Sequence, residues 1–341
     1  MGTSIKRLRQ ATLSWAGKDK ALAAAKASAR PPSMRLATGD GRGQLFVGDN
    51  LGALAELRRE SGASVTLAYM DPPFLTNRVH EVIHTDNDVE APRRGAKRLR
   101  EAAFDDRWVD QAAYLEALAP RMEAIHSLLA PHGSLVVHVD SKTSHYIRVL
   151  ADEIFGPECF ASEIIWRYRR WPSKTPNFQR VHDVLLRFRK DPRHPPRWNQ
   201  AYEALAPSTL ATWGTKKQNA VFEGKARLRS STTKEESLGV PLGDVWDIGV
   251  IAPVSKERTG YPSQKPLALL DRLVSTLSNP GDVVLDPYAG SGTTLVSAHK
   301  LGRRFVGIDA SPVAIDTIRR RFEALDVDLA EGRELLELGC L

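Results

Sequence analysis

Short apolar runs alternate with amphipathic stretches over most of the chain. "QLFVGDN" (44–50) reads as a strand ending in a turn, and "LGALAELRRE" (51–60) carries apolar residues at helical spacing. "SVTLAYMD" (64–71) is an unbroken apolar run of strand length, the pattern of a strand buried on both faces. Residues 76–107 are polar, include the basic patch "PRRGAKRLR", and read as a mobile loop. Helices are predicted over 110–130, with a kink at Pro120, and over "SHYIRVLADEIFG". Between them "PHGSLVVHVD" (131–140) is a turn and a buried strand, and "SEIIWRYRR" and "HDVLLRFRK" read as two more strands. Residues 191–246, rich in Pro, Trp, Ser, Thr and Lys, show no clear period and read as an inserted module with weak regular structure. Residues 265–311 read as helix, turn, strand, glycine-rich turn, helix, strand, and a last helix covers 312–325. Strands alternating with helices predict an α/β fold, a doubly wound and mostly parallel sheet with helices on both faces.

Two strand ends carry candidate chemistry. In "AYMDPPFLTN" (68–77) an apolar strand stops at an acid, two prolines and an aromatic ring. Proline cannot donate to a sheet ladder, and the residue before it is driven to an extended conformation. Asp71, Pro72, Pro73 and Phe74 should therefore form a stiff turn at the edge where open α/β sheets bind ligands. On its own this is a rigid strand-ending turn. In "VVLDPYAGSGTT" (283–294) a strand runs into a glycine-rich turn and a helix. Gly290 and Gly292 would let a ligand approach the backbone, and the helix N-terminus offers free N–H groups. The next strand, "RFVGID", ends in Asp309, where dinucleotide folds hold ribose hydroxyls; the plain reading is a helix N-cap filled by Asp309 or Ser311. The turn lacks both the full G-x-G-x-x-G pattern and that of a P-loop.

Composition narrows the partners. The 341 residues carry a net charge of +7. Residues 1–42 hold nine Lys/Arg against two acids, and residues 161–200 hold ten against three, which leaves the rest of the chain near −7. Two basic blocks on an otherwise acidic protein suit a nucleic-acid groove. The first reads as a flexible basic arm. No apolar run is long enough to span a membrane, and the N-terminus has no signal-peptide core. Cys159 and Cys340 exclude a disulfide framework and a cysteine-rich zinc site, and no H-x-x-x-H pattern appears, so no metal is expected.

The order "DPPF", basic insertion, "YPSQKP", "DPYAGSGTT" resembles the β group of S-adenosylmethionine-dependent DNA amino-methyltransferases, the restriction-modification type that methylates adenine N6 or cytosine N4. Their catalytic motif is [DNS]-P-P-[YFW], matched by residues 71–74; their cofactor motif D-P-F-x-G-x-G-T-T is matched by 286–294 with Tyr288 in place of Phe. "GDNLGALAEL" (48–57), "AFDDRW" (103–108) and residues 163–190 also resemble the family, and the likeness spans roughly 43–325. It implies a Rossmann-like, circularly permuted seven-stranded sheet. The implied organisation is a basic arm (1–42), a catalytic half (43–190), an inserted target-recognition region (191–246), an S-adenosylmethionine-binding half (247–325) and a tail (326–341).

The resemblance also implies roles. Asp71 and the Pro72 carbonyl would accept the hydrogens of an exocyclic amine, and Phe74 would stack on a base flipped out of the duplex. Asp286, Pro287, Tyr288, Gly290, Gly292, Thr293 and Asp309 would surround the cofactor, with Asp49 bordering its adenine and Lys265 and Ser263 near its methionine carboxylate. Trp166 and Tyr168 are candidates for a wall of the base pocket. Asp at the first motif position favours N6 of adenine, with N4 of cytosine as the alternative. A nucleic-acid-binding protein with an inactive pocket is a further alternative. The expected partner is double-stranded DNA in a bacterial or archaeal cytoplasm. A homodimer and a separate restriction endonuclease fit the same family.

Overall fold

The computed structural model describes residues 11–27, 30–85, 98–172, 174 and 176–331. Cys340 and most of the basic patch of the 76–107 segment lie outside them. Two compact units are described: residues 1–198 with 245–341, and residues 199–244.

The larger unit opens with α1 (Lys18–Ala27), β1 (Met34–Thr38), β2 (Gly43–Val47), α2 (Asn50–Ser61) and β3 (Val65–Met70). Next come β4 (Val79–Thr85), β5 (Arg98–Asp105), α3 (Gln111–Leu128), β6 (Leu129–Val139), α4 (Ser144–Phe155), β7 (Phe160–Arg167) and β8 (His182–Arg189). The smaller unit holds β9 (Tyr202–Glu203), α5 (Pro207–Trp213), β10 (Lys216–Glu223), β11 (Ala226–Glu236) and β12 (Val240–Pro241). The chain then returns to the larger unit with β13 (Val245–Asp247), α6 (Leu267–Leu277), β14 (Val283–Asp286), α7 (Thr293–Lys300), β15 (Arg304–Asp309), α8 (Pro312–Glu323) and β16 (Leu329–Glu331).

The central sheet has ten strands in the order β13-β7-β8-β6-β3-β14-β15-β2-β1-β16. Only β8 and β1 run against the others. The doubly wound α/β sheet is thus present, lengthened beyond seven strands by β13 at one edge and β1 and β16 at the other. β14 comes late in the chain yet inserts between β3 and β15, and β15 pairs with the early β2. This is the circular order. All six residues of β3 are buried, as its unbroken apolar run requires.

The parallel strands β2, β3, β6, β14 and β15 all end at one sheet edge, which brings Asp49, Asp71, Asp140, Asp286 and Asp309 to the same side. The helix starts explain part of this. Asp49 caps α2 by accepting from Leu51 N–H, and Ser311 caps α8 by accepting from Ala314 N–H, with Pro312 at the first helical position.

Five expectations change. Residues 34–38 of the supposed basic arm are strand β1, and α1 packs on α3 and is tied to α4 by an ion pair between Lys18 and Glu153. Residues 329–331 of the supposed tail are β16, which pairs with β1. Part of the supposed 76–107 loop is the hairpin β4–β5, whose polar residues pair across strands instead of lining a core. In the smaller unit β10 and β11 form a largely exposed hairpin, so it has more regular structure than its composition suggested. The helix α3 also continues through Pro120, which is buried.

Candidate active site

A cavity of about 460 Å³ opens at the strand ends of the sheet, within the size of small-molecule sites. The turn after β3 supplies Asp71, Pro72, Pro73 and Phe74 to its wall. The turn after β14 supplies Asp286, Pro287, Tyr288, Gly290 and Thr293, and the neighbouring strand supplies Asp309. Asp49, Ser263 and Lys265 line it too. Two motifs separated by some two hundred residues therefore share one space. Gly292 does not line the wall. It starts α7 with φ +73, and a Cβ there would come 2.7 Å from Ile318 Cγ1. Its glycine is required by backbone conformation and helix packing, not by close approach of a ligand.

The catalytic-motif turn is braced from outside. Leu75 and Asn77 have φ of +58 and +56, a conformation costly for side chains other than glycine. Asp106, which is buried, holds this turn: its carboxylate accepts from the backbone N–H of Phe74 (3.2 Å), Leu75 (2.9 Å) and Thr76 (2.8 Å). It also accepts from the Thr76 hydroxyl and from Trp108 Nε1 (3.0 Å). "AFDDRW" resembled the family, but nothing in its spacing announced this duty. Pairing of β4 with β5 creates it, by carrying Asp106 back to the turn.

Asp71 has two unlike oxygens. Oδ2 forms an ion pair with Lys265. Oδ1 is buried without a hydrogen-bond partner and lies 3.9 Å from His138 Nδ1. Lys265, expected near the cofactor's methionine carboxylate, pairs with the catalytic-motif acid, with its ammonium 5.1 Å from the centre of the Phe74 ring. Ser263, at φ +60, bends the segment just before it.

Behind Phe74 lies a buried polar cluster. The Tyr69 hydroxyl is 2.6 Å from His138 Nδ1, and His138 Nε2 faces Asp183 Oδ2 at 3.4 Å. The Tyr168 hydroxyl donates to Asp183 Oδ1 at 2.9 Å. Burial pushes the Asp183 carboxyl up, but His138, Lys265 and Tyr168 together hold it below its ordinary value. Trp166 donates from Nε1 to Ile248 O at 2.8 Å. Trp166 and Tyr168 are buried and do not line the cavity, so they support the site from behind.

The glycine-rich turn is braced by neighbours. Asp309 Oδ2 accepts from Gly290 N–H at 2.7 Å and Oδ1 from Ser311 N–H at 2.9 Å. Since Ser311 caps α8, Asp309 is not spent as the cap and keeps its carboxylate at the cavity. Burial pushes the Asp309 carboxyl above the ordinary carboxylate range. Asp286 is raised to about 7 by burial and by the nearby Asp71 and Asp309. Burial also pushes up the Tyr261 phenol, beside Asp309. Six Asp line the cavity against Lys265 and Arg121, an acidic surplus that favours a cationic ligand.

Asn50 and Arg121 were missed in the sequence. Asn50 Nδ2 donates to Pro287 O at 3.0 Å and its Oδ1 accepts from Arg121, whose Nη2 reaches Asp49 Oδ2 at 2.7 Å. Burial raises the Tyr288 phenol, while Arg121 and Asn50 bond to it. The Tyr for Phe replacement therefore has polar partners. Arg121 lay hidden on an ordinary amphipathic helix. Asn50, next to a good capping Asp, was the legible half of this set.

The family model described as DNA methylase matches residues 65–320. The type II methyltransferase M.EcaI of Enterobacter cloacae is 27% identical over 80% of this chain and 68% of its own length. The DNA adenine methyltransferase YhdJ of Escherichia coli strain K12 is 28% identical over 80% of each. Among solved structures, the cytosine-N4-specific PvuII DNA methyltransferase shares the fold, with a TM-score of 0.55 and 16% identity over 85% of this chain and 90% of that one. The chain belongs to the DNA methylase family, the β group of amino-methyltransferases whose cofactor is S-adenosylmethionine.

Proposed function

We propose that the protein transfers a methyl group to the N6 amine of an adenine flipped out of duplex DNA. The observation that carries this reading is Asp71: one oxygen is fixed by Lys265, and the other is buried without a hydrogen-bond partner at the cavity wall, beside Phe74. An unpartnered buried carboxylate oxygen is costly unless a ligand completes it. An exocyclic N–H is such a ligand.

The amine is a poor nucleophile because its lone pair is delocalised into the ring. Asp71 Oδ1 and the Pro72 carbonyl would each accept one hydrogen, which turns the lone pair out of the ring plane. Phe74 would hold the base by stacking, and the braced turn would fix the amine for in-line attack. The proton released from the methylated amine would pass to Asp71. Bound S-adenosylmethionine supplies an electrophilic methyl group on a sulfonium centre. Its residues fit: Asp309 offers oxygens for ribose hydroxyls, Asp286 and the glycine-rich turn border the methionine part, and the acidic lining suits the positive sulfur. Adenine is preferred over cytosine because of Asp at the first motif position, and the likeness to an adenine methyltransferase over most of both chains supports it. The unit 199–244 is proposed to read the target sequence.

The test is methyl transfer from labelled S-adenosylmethionine to unmethylated bacterial DNA, then digestion to nucleosides and mass analysis. N6-methyladenine is expected. N4-methylcytosine would overturn the base assignment. Cofactor binding with no methylated nucleoside would favour a binding protein with an inactive pocket.

A further inference from the structure

A chain of rings leads from the catalytic turn to a surface that the methyl transfer itself does not use. Phe74 packs against His138 with centroids 5.6 Å apart, His138 against Trp166 at 5.5 Å, and Trp166 against Tyr168 at 4.8 Å. The Arg170 guanidinium lies 5.1 Å from the Tyr168 ring. Tyr168 begins the connection from β7 to β8, residues 168–181. Because β8 runs against β6, this connection emerges at the same sheet edge as Asp71 and Asp140. It is anchored there: Arg180 Nη1 donates to Asp140 Oδ2 at 3.4 Å, and Gln179 Nε2 donates to Trp171 O at 2.7 Å.

Its surface is unusual. Trp171 is 90% exposed and Phe178 is 96% exposed, although large apolar rings in water are costly and mark contact sites. Residues 168–181 contain Arg169, Arg170, Lys174 and Arg180 and no acid. Bare aromatic rings on a segment that carries four cations and no acid of its own match the chemistry of nucleic acid, where arginines meet phosphates and rings stack on unpaired bases.

We propose that the 168–181 loop is the element that opens the duplex. Arg169 and Arg170 neutralise phosphates beside the target. Trp171 and Phe178 stack on the bases left exposed when the target base leaves the helix for Phe74. This inference rests on the reading of the substrate as a flipped base, and it names the part of the chain that offsets the cost of flipping.

Two measurements test it. The first is binding of a fluorescent duplex cut from unmethylated bacterial DNA over a range of salt. An Arg169→Ala, Arg170→Ala double variant should lower the slope of log affinity against log salt by roughly 1.8, about 0.9 for each lost phosphate contact. An unchanged slope overturns the proposal. The second uses short duplexes carrying the site that the wild type modifies, with the target base either paired or opposite a mismatch. A Trp171→Ala, Phe178→Ala variant should lose about tenfold or more in methylation of the paired duplex. It should stay within about threefold of wild type on the mismatched one, where flipping is cheaper. Equal losses on both duplexes would overturn the stacking role. These side chains are exposed, so melting temperature and cofactor affinity should not change. If the wild type methylates no DNA, the proposed reaction fails, and the salt slope alone decides whether the loop holds DNA.

Discussion

The turn after β14 is fastened mostly by its own neighbourhood, although Asn50, 237 residues away, also donates to Pro287 O. Gly290 N–H reaches Asp309 across one helix and one strand, 19 residues on, and Tyr288 N–H reaches Asp286 two residues back. The turn after β3 is fastened from farther away. Asp106, 30 to 32 residues on, holds three of its backbone N–H groups, and Lys265, 194 residues away, pairs with its acid. The two face each other across one cavity but depend on different parts of the chain. Changes to the first should act through cofactor binding, and changes to the second through the chemistry.

The largest effect is expected at Asp71. Asp71→Ala should cut turnover by roughly 10³-fold, within the usual range for a positioned acid or base. Cofactor affinity should stay within about fivefold, measured by calorimetric titration. A matched loss in both would merge the two turns into one function.

Asp286 comes next, through pH. Its carboxyl titrates at about 7 in the folded protein, against 3.8 ordinarily. The folded state therefore keeps a proton that the unfolded chain has released between these values, so this group makes stability fall as pH rises from about 4 to 7. The whole shift corresponds to about 4 kcal/mol at most. Urea midpoints at pH 5 and pH 8 should converge in Asp286→Asn. Cofactor affinity in the wild type should rise as pH passes through about 7, where the folded-state carboxyl ionises, and the variant should lose that rise.

Asp106→Ala leaves several buried donors without an acceptor and should cost about 3 kcal/mol in urea denaturation. Turnover should fall as well, because the turn relaxes, while cofactor affinity changes little. Asp106→Asn keeps one acceptor oxygen and should recover part of both. Gly292→Ala forces φ +73 on a residue with a Cβ and presses it on Ile318, for about 2 kcal/mol. Its loss should appear in cofactor affinity and vanish from turnover at saturating cofactor. The smallest effect is Ser311→Ala, about 1 kcal/mol from the lost cap, with cofactor affinity unchanged.

The same contrast explains what was legible in the sequence. The glycine-rich turn, the strand before it and Asp309 form a contiguous strand–turn–helix–strand unit, whose periods and glycines are local signals. Asp71 to Phe74 were equally legible as a turn, since prolines act on adjacent backbone. The braces were not. Asp106 depends on how β4 meets β5, Arg121 on which face of α3 turns to the site, and His138 on the register of β6 with β3. Those are facts of tertiary pairing. The strands β1 and β16 were missed for a related reason: each is short, and β1 finds its ladder partners in β2 and β16 while β16 pairs with β1. The exposed rings of the 168–181 loop could be seen as residues, but not as bare.

The most direct measurement is a paired one on two variants. S-adenosylmethionine affinity and methyl transfer to DNA would be measured for Asp71→Ala and Asp309→Asn. The account predicts that Asp71→Ala binds the cofactor within about fivefold of wild type yet forms almost no product. Asp309→Asn should bind at least about tenfold more weakly and still turn over when cofactor saturates it. Normal turnover in Asp71→Ala, or unchanged binding in Asp309→Asn, would contradict it.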